Sequence, residues 1–69
     1  MIAIYSGDTL LSQVGLIGGI LKVTAAPDKN QQEQEEFVQC LRRKNMSDEE
    51  LYEWLPKRLH SHVYAVEKS

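Results

Sequence analysis

The sequence predicts an α+β fold in which a small antiparallel β-sheet, made of N-terminal strands and a C-terminal strand, packs against an αα-hairpin. Charge divides sharply at Pro27, since only Asp8 and Lys22 are charged before it whereas 16 of the 42 residues after it are charged. Apolar residues alternate or form short runs before Pro27 and recur at helical spacing after it. We therefore expect a single small domain over 1–69, mainly β in 1–26, with two helices in 28–60 and a final strand in 62–67.

The N-terminal part predicts short strands and a hairpin. The segment MIAIYS at 1–6 alternates isoleucine with other residues, which is typical of a strand. The runs VGLI and ILKV are separated by Gly18 and Gly19, and glycine reaches the positive φ values that a tight hairpin turn requires. The alternative is a helix from Thr9 to Gly18, in which Gly15 would cost about 1 kcal/mol relative to alanine. We favour the hairpin.

The first helix is predicted from Asp28 to about Lys44. Asp28 follows Pro27 and precedes Gln31 by three residues, a spacing that suits the start of a helix. Its apolar residues are Phe37, Val38 and Leu41, which we expect to be buried. Because its first two turns carry no apolar residue, we expect them to project into solvent or to fray.

The segment NMSDEELYEWL predicts the start of a second helix. Ser47 and Glu50 have the spacing of a capping box, and Met46 can pack on Leu51. The apolar stripe that follows consists of Leu51, Trp54, Leu55 and Leu59. Pro56 lacks the N–H that would reach the carbonyl of Tyr52, so we expect a kink or break near Leu55. The β-rich segment HVYAV, 62–66, predicts the last strand.

Size and charge limit the classes of function. A chain of 7.9 kDa buries only about 60% of its unfolded surface, so a homodimer or a complex with a larger protein would add needed burial. The net charge of −2 is too small to indicate a nucleic-acid coat or a membrane surface. The longest charge-free stretch, 9–21, has 13 residues, fewer than the roughly 20 that span a bilayer. One cysteine fits a reducing compartment, and we expect a cytoplasmic protein.

Cys40, His60 and His62 are the only residues that could combine a nucleophile with a base or bind a metal. Zinc requires four ligands, and a catalytic Cys–His pair requires an orienting group and a pocket. We therefore predict no catalytic residue, no metal and no cofactor. Cys40 is expected to be a small buried residue on a helix face.

Two acidic clusters, 33–36 and 48–53, are candidate binding features. Their acidic members are Glu33, Glu35, Glu36, Asp48, Glu49, Glu50 and Glu53. A solvated helix face is the simpler interpretation, and the sharper one is an acidic surface that imitates nucleic-acid phosphates and enters a basic groove on a partner. We expect Trp54 to lie in the core and Tyr52 to be exposed. The predicted partner-binding residues are Glu49, Glu50, Glu53, Tyr52, Arg42, Arg43 and Lys44.

The predicted function is a non-enzymatic regulator or inhibitor that binds a larger protein or nucleoprotein complex. A tiny acidic protein without a catalytic signature is similar in kind to phage-encoded inhibitors, including anti-CRISPR proteins, in size and charge. The alternative is a DNA-binding regulator, because CLRRKNMSDEELYEWL can form a helix-turn-helix with Asn45 in the turn. Its second helix would then begin with acidic residues, which phosphates repel, so nucleic acid is the less favoured partner.

The segment EELYEWLPKRLHSHVYA also resembles a helix in the small theta subunit of bacterial replicative DNA polymerase. The resemblance rests on the spacing of Leu51, Trp54, Arg58, Leu59, His62 and Ala65 and covers about a quarter of the chain. It implies a largely helical fold, whereas the N-terminal half predicts strands.

Overall fold

The computed structural model describes residues 1–59 and 61–68 as a four-stranded antiparallel sheet with two helices on one face. The elements in chain order are β1 Ile2–Ser6, β2 Thr9–Ile17, β3 Ile20–Ala25, α1 Gln31–Cys40, α2 Asp48–Arg58 and β4 Val63–Glu67. The strand order is β3-β2-β1-β4, so the last strand lies beside the first. The predicted α+β fold is confirmed. Because 63–67 form a strand, the helix implied by the theta-subunit resemblance is not present there.

The β2–β3 hairpin confirms the interpretation based on the two glycines. Gly18 and Gly19 have φ values of 58° and 78°, as a type I′ turn requires, and Ile17 pairs with Ile20 across it. The alternative helix over 9–17 is therefore wrong.

The core lies between the sheet and the helices. Alternation along the strands places one set of side chains toward the helices, and α2 contributes every fourth residue to the same layer. The buried apolar residues of this core are Ile2, Ile4, Val14, Val23, Val38, Leu51, Leu55 and Leu59. Ser12 is fully buried with them, and its hydroxyl has no hydrogen-bond partner among the described residues.

Helix α1 is shorter than predicted at both ends. Its N-cap is Asn30, whose side chain accepts a hydrogen bond from the backbone N–H of Glu33, and not Asp28. Asp28 lies instead in a turn closed by a hydrogen bond from the N–H of Lys29 to the carbonyl of Ala26. The helix ends at Cys40 and not near residue 44. Phe37 and Leu41 are half-buried against the core, and Val38 is fully buried.

The first turn of α1 is exposed to solvent, as expected, but it does not project freely or fray because Gln31 holds it to the edge of the sheet. The side-chain amide of Gln31 accepts a hydrogen bond from the N–H of Ala25 at 2.8 Å and donates one to the carbonyl of Val23 at 2.7 Å. It thus bonds to β3 as a neighbouring strand would. An exposed edge strand invites pairing with other chains, and this contact reduces that exposure.

Helix α2 begins as predicted and continues past Pro56, where a kink or break was expected. Ser47 and Glu50 form both hydrogen bonds of the capping box. The helix passes through Pro56 to Arg58, so the predicted break near Leu55 is wrong. The N–H of Leu59 still donates to the carbonyl of Leu55, and both leucines are buried, which keeps the helix on the sheet beyond the proline.

We predict that Gln31→Ala lowers the free energy of unfolding by about 1 kcal/mol, because it removes both hydrogen bonds to the β3 edge. The matched control is Gln32→Ala, also in the first turn, whose side chain bonds to Glu36 at 3.4 Å and to no other described residue. Urea denaturation of both variants measures the difference. Equal stability of the two would show that the Gln31 contact does not stabilise the fold.

Replacement of serine by alanine should affect stability differently at Ser12 and at Ser47. Ser12→Ala removes a buried hydroxyl that has no partner, so the free energy of unfolding should stay the same or rise by up to about 1 kcal/mol. Ser47→Ala removes the N-cap of α2 and should lower it by about 1 kcal/mol. Thermal and urea unfolding measure both. A clear loss of stability in Ser12→Ala would mean that this hydroxyl has a partner in solution.

Candidate partner-binding surface

The outward side of α2 carries an acidic surface, which we define as Glu49, Glu50 and Glu53. All three residues are exposed. Within residues 1–59 and 61–68 the ion pairs are Lys29 with Asp28 and Arg42 with Asp48. The side chains of Glu49 and Glu53 take part in neither these pairs nor a hydrogen bond in the described part of the chain, so both carboxylates are available to a partner.

Glu50 differs from the other two because it also builds the helix. Its Oε1 atom accepts a hydrogen bond from the N–H of Ser47 at 3.2 Å, and its own N–H donates to the Ser47 hydroxyl. A substitution at Glu50 would therefore change the start of α2 as well as the charge of the surface.

Tyr52 and Trp54 are both half-buried, so neither the predicted exposure of Tyr52 nor the predicted core position of Trp54 is found. Tyr52 is half-buried and packs against the core, whereas Trp54 is half-buried and lies outside the core cluster. The reason is the four-residue spacing of the core leucines. Each step of four residues advances by about 40° around the helix, so the buried face turns toward Tyr52 and away from Trp54.

Trp54 lies instead between acidic and basic side chains. The guanidinium carbons of Arg43 and Arg58 are 4.5 Å and 5.9 Å from the centroid of its ring. Such cation–π contacts hold the indole in place at the surface. A shallow hollow of about 220 Å³ next to it is lined by Met46, Glu50, Glu53, Trp54 and Lys57.

The basic segment 42–44 does not form one patch. The guanidinium of Arg42 donates to the side chain of Gln39, to the carbonyl of Met46 and to the carboxylate of Asp48. Arg43 stacks on Trp54, and Lys44 is exposed. Of the three basic residues predicted to contact a partner, one is thus fully engaged within the fold.

Asp48 connects this segment to the sheet. Its carboxylate accepts a hydrogen bond from the N–H of Leu21 at 2.9 Å and another from Arg42. These two donors lower the pKa of Asp48 below its ordinary value of 3.8, and the backbone N–H of Leu21 contributes more than the guanidinium of Arg42. Asp48 is therefore structural, in contrast to its neighbour Glu49.

Cys40 and His62, two of the three residues considered for catalysis or metal binding, lie at different edges of the sheet. Cys40 is exposed at the end of α1, so the expectation of a buried thiol is wrong. Helix α1 packs on β3, whereas His62 leads into β4 at the other edge of the sheet. His60 lies outside the described residues. In the described ranges no three His, Cys, Asp or Glu side chains are grouped so as to hold a metal ion.

Two further findings concern membrane-spanning helices and similarity to known proteins. Of the helices in the described ranges, neither has the length and apolar character needed to cross a membrane. Comparison with protein-family models, with curated proteins and with solved structures found no match to this chain.

The lowered pKa of Asp48 predicts a pH-dependent contribution to stability. Because the folded-state pKa is depressed, the carboxylate stabilises the fold above its unfolded-state pKa, and this contribution is lost as the pH falls through the folded-state pKa. Asp48→Asn should therefore be less stable than the unmodified chain at about pH 6, and the gap should shrink below about pH 4.

Urea unfolding at several pH values measures this gap. Glu53→Gln, which removes a carboxylate without a hydrogen-bond partner, controls for the loss of one charge. A gap for Asp48→Asn that is absent at about pH 6, or that is the same at every pH, would contradict the assigned role.

Proposed function

We propose that the chain is a non-enzymatic regulator or inhibitor, acting in the cytoplasm, that binds a larger protein or nucleoprotein complex through the acidic surface of α2. The observation that carries this proposal is the pair of exposed carboxylates, Glu49 and Glu53, which lie one turn apart on α2 and have no partner among the described residues. Glu53 also lines a hollow beside Trp54. Carboxylates without internal partners gain ion pairs on binding, and a large aromatic side chain supplies contact area.

The partner specified by this chemistry carries a basic groove. Glu49 and Glu53 are one helical turn apart, so both can face a row of lysine or arginine side chains at once. A nucleoprotein presents such a groove where it binds phosphates, and the acidic surface would occupy it in their place. Phage-encoded inhibitors such as anti-CRISPR proteins are the proposed analogue, on the grounds of size and charge.

The alternative, a helix-turn-helix DNA-binding regulator, has less support. It needs basic residues free for phosphates, but Arg42 is bonded within the fold and Arg43 stacks on Trp54. The N-terminus of α2, which would face the bases, begins with Asp48 and Glu49.

We predict that Glu49→Lys with Glu53→Lys lowers recovery of the partner at least tenfold. The measurement is quantitative mass spectrometry of proteins that co-purify with the tagged chain from its native host. The matched control is Glu33→Lys with Glu36→Lys, which makes the same change of charge on α1 and should leave recovery unchanged. Glu50 is not altered because it caps α2.

Two outcomes would contradict the proposal. Equal recovery with both double variants would show that the acidic surface of α2 is not the contact. Binding of the unmodified chain to duplex DNA at low salt, weakening steeply as salt is added, would favour the DNA-binding alternative instead.

A further inference from the structure

The face of the sheet opposite the helices, which we call the open face, has no covering layer within the described residues. Four large apolar side chains are exposed on it or at its end: Met1 at 57%, Ile17 at 65%, Ile20 at 66% and Val66 at 37%. These are all the exposed large apolar residues of the described chain, and they lie on one side of the molecule. Clustering of this kind marks interaction surfaces in soluble proteins.

Gly15 lies at the centre of this group, and the fold does not explain why it is glycine. It is in the middle of β2, pairs regularly with Lys22 and has no positive φ. A Cβ atom built at this position would meet nothing within 4 Å. Glycine in a strand interior weakens the strand, and it is commonly found where another molecule approaches the backbone closely.

The missing side chain leaves a hollow of about 210 Å³, lined by Met1, Gln13, Gly15, Ile17, Lys22 and Thr24. The hollow is large enough to admit one large apolar side chain. A concave site fits a protruding side chain of a partner protein better than the flat surface of a bilayer.

The charge of the open face also specifies its partner. Lys22 lies opposite Gly15 at one side of the face, and Lys68 follows β4 at the other. Glu67 is on the opposite side of β4 from Val66 and lines a hollow with Tyr52 and Glu53. The strand positions of the open face therefore carry no acidic residue, and a partner with carboxylates would complement them.

The aromatic residues of the open face do not favour single-stranded nucleic acid. The rings of Tyr5 and Tyr64 stack on each other at 5.5 Å, and Lys68 Nζ is 5.7 Å from the Tyr5 centroid. The Tyr5 ring is therefore already in contact with two neighbours, whereas base stacking requires an accessible ring face.

From the hollow, the exposed apolar residues and the charge, we propose that the open face binds a protein segment that inserts one large apolar side chain over Gly15, with carboxylates on either side that pair with Lys22 and Lys68. This contact is separate from the acidic surface of α2 and does not depend on the function proposed for it.

The first test is the stability of Gly15→Val. Valine favours strands and nothing in the fold opposes its side chain, so the Tm should rise by about 4 °C or more. A lower Tm would show that the fold itself requires glycine at this position and would overturn the proposal.

The second test selects ligands without assuming their sequence. A phage-displayed library of random 12-residue peptides is selected on the unmodified chain and counter-selected on Gly15→Val. We expect enriched peptides with a large apolar residue flanked by Asp or Glu. Their affinity should fall at least tenfold for Gly15→Val and for Lys22→Glu and stay unchanged for Lys57→Glu, which makes the same charge change on α2.

Three results would overturn the proposal: no enrichment, enriched peptides that are basic, or binding that is equal for all variants. Sedimentation velocity tests whether a second copy of this chain binds the open face. A dimer of the unmodified chain that dissociates in Gly15→Val would assign the open face to a second copy and would also overturn the proposal.

Discussion

The carboxylate of Asp48 joins three segments of the chain that lie in different layers of the fold. It accepts hydrogen bonds from the N–H of Leu21 in β3 and from Arg42, which in turn donates to the carbonyl of Met46. One side chain thereby joins the β2–β3 hairpin, the α1–α2 connection and the first turn of α2. With these three segments fixed to one another, the outward direction of Glu49 and Glu53 is fixed as well. The position of the acidic surface is thus a consequence of a contact between the sheet and the helix.

Both edges of the sheet are held by the chain itself, which leaves its faces for recognition. At β3 the contacts come from Gln31 and Asp48. At β4 the N–H of Ala65 donates to the carbonyl of Leu59, and the N–H of Ser61 donates to the carbonyl of Val63. A partner that added a strand would have to displace these bonds. Side-chain contacts on a face carry no such cost, and both surfaces for which we propose partners are of that kind.

The sequence predicted those features that depend on a few neighbouring residues. The Gly18–Gly19 turn and the capping box of Ser47 and Glu50 are local, and both are present. The errors concern features that distant contacts decide. Gln31 is polar and lies in a turn that was expected to project into solvent or fray. Its side chain bonds to β3, a contact that the spacing of residues along the helix cannot indicate. Similarly, Pro56 was expected to kink or break α2 near Leu55, whereas the helix continues through it with buried leucines on either side.

The sequence predicted the charge of the candidate surface but not which aromatic residue lies beside it. Acidic residues in a polar run were expected to be exposed, and Glu49 and Glu53 are. The place of Trp54 could not be read from its spacing to Leu51 alone, because the buried face is set by all the leucines of α2 acting together. A signal was nevertheless present: the four-residue steps of those leucines turn the buried face away from Trp54.

The acidic surface lies on α2, whereas the open face is the side of the sheet turned away from α2, in a molecule whose Cα extents are 30 × 25 × 22 Å. The first carries carboxylates and the second carries Lys22 and Lys68. Such a distribution favours head-to-tail contact between copies, which leads to fibres unless the contacts close into a ring. Basic residues among the carboxylates of α2 oppose it, since Lys57, Arg58 and Arg43 lie beside Trp54 and the acidic surface. Lys22 and Lys68 of a second copy would face both carboxylates and basic side chains, so the electrostatic attraction between the two copies is reduced. A partner whose groove reaches Glu49 and Glu53 without approaching the basic residues avoids repulsion from them. The mixed charge therefore selects partners by the shape of the groove as well as by the sign of its charge.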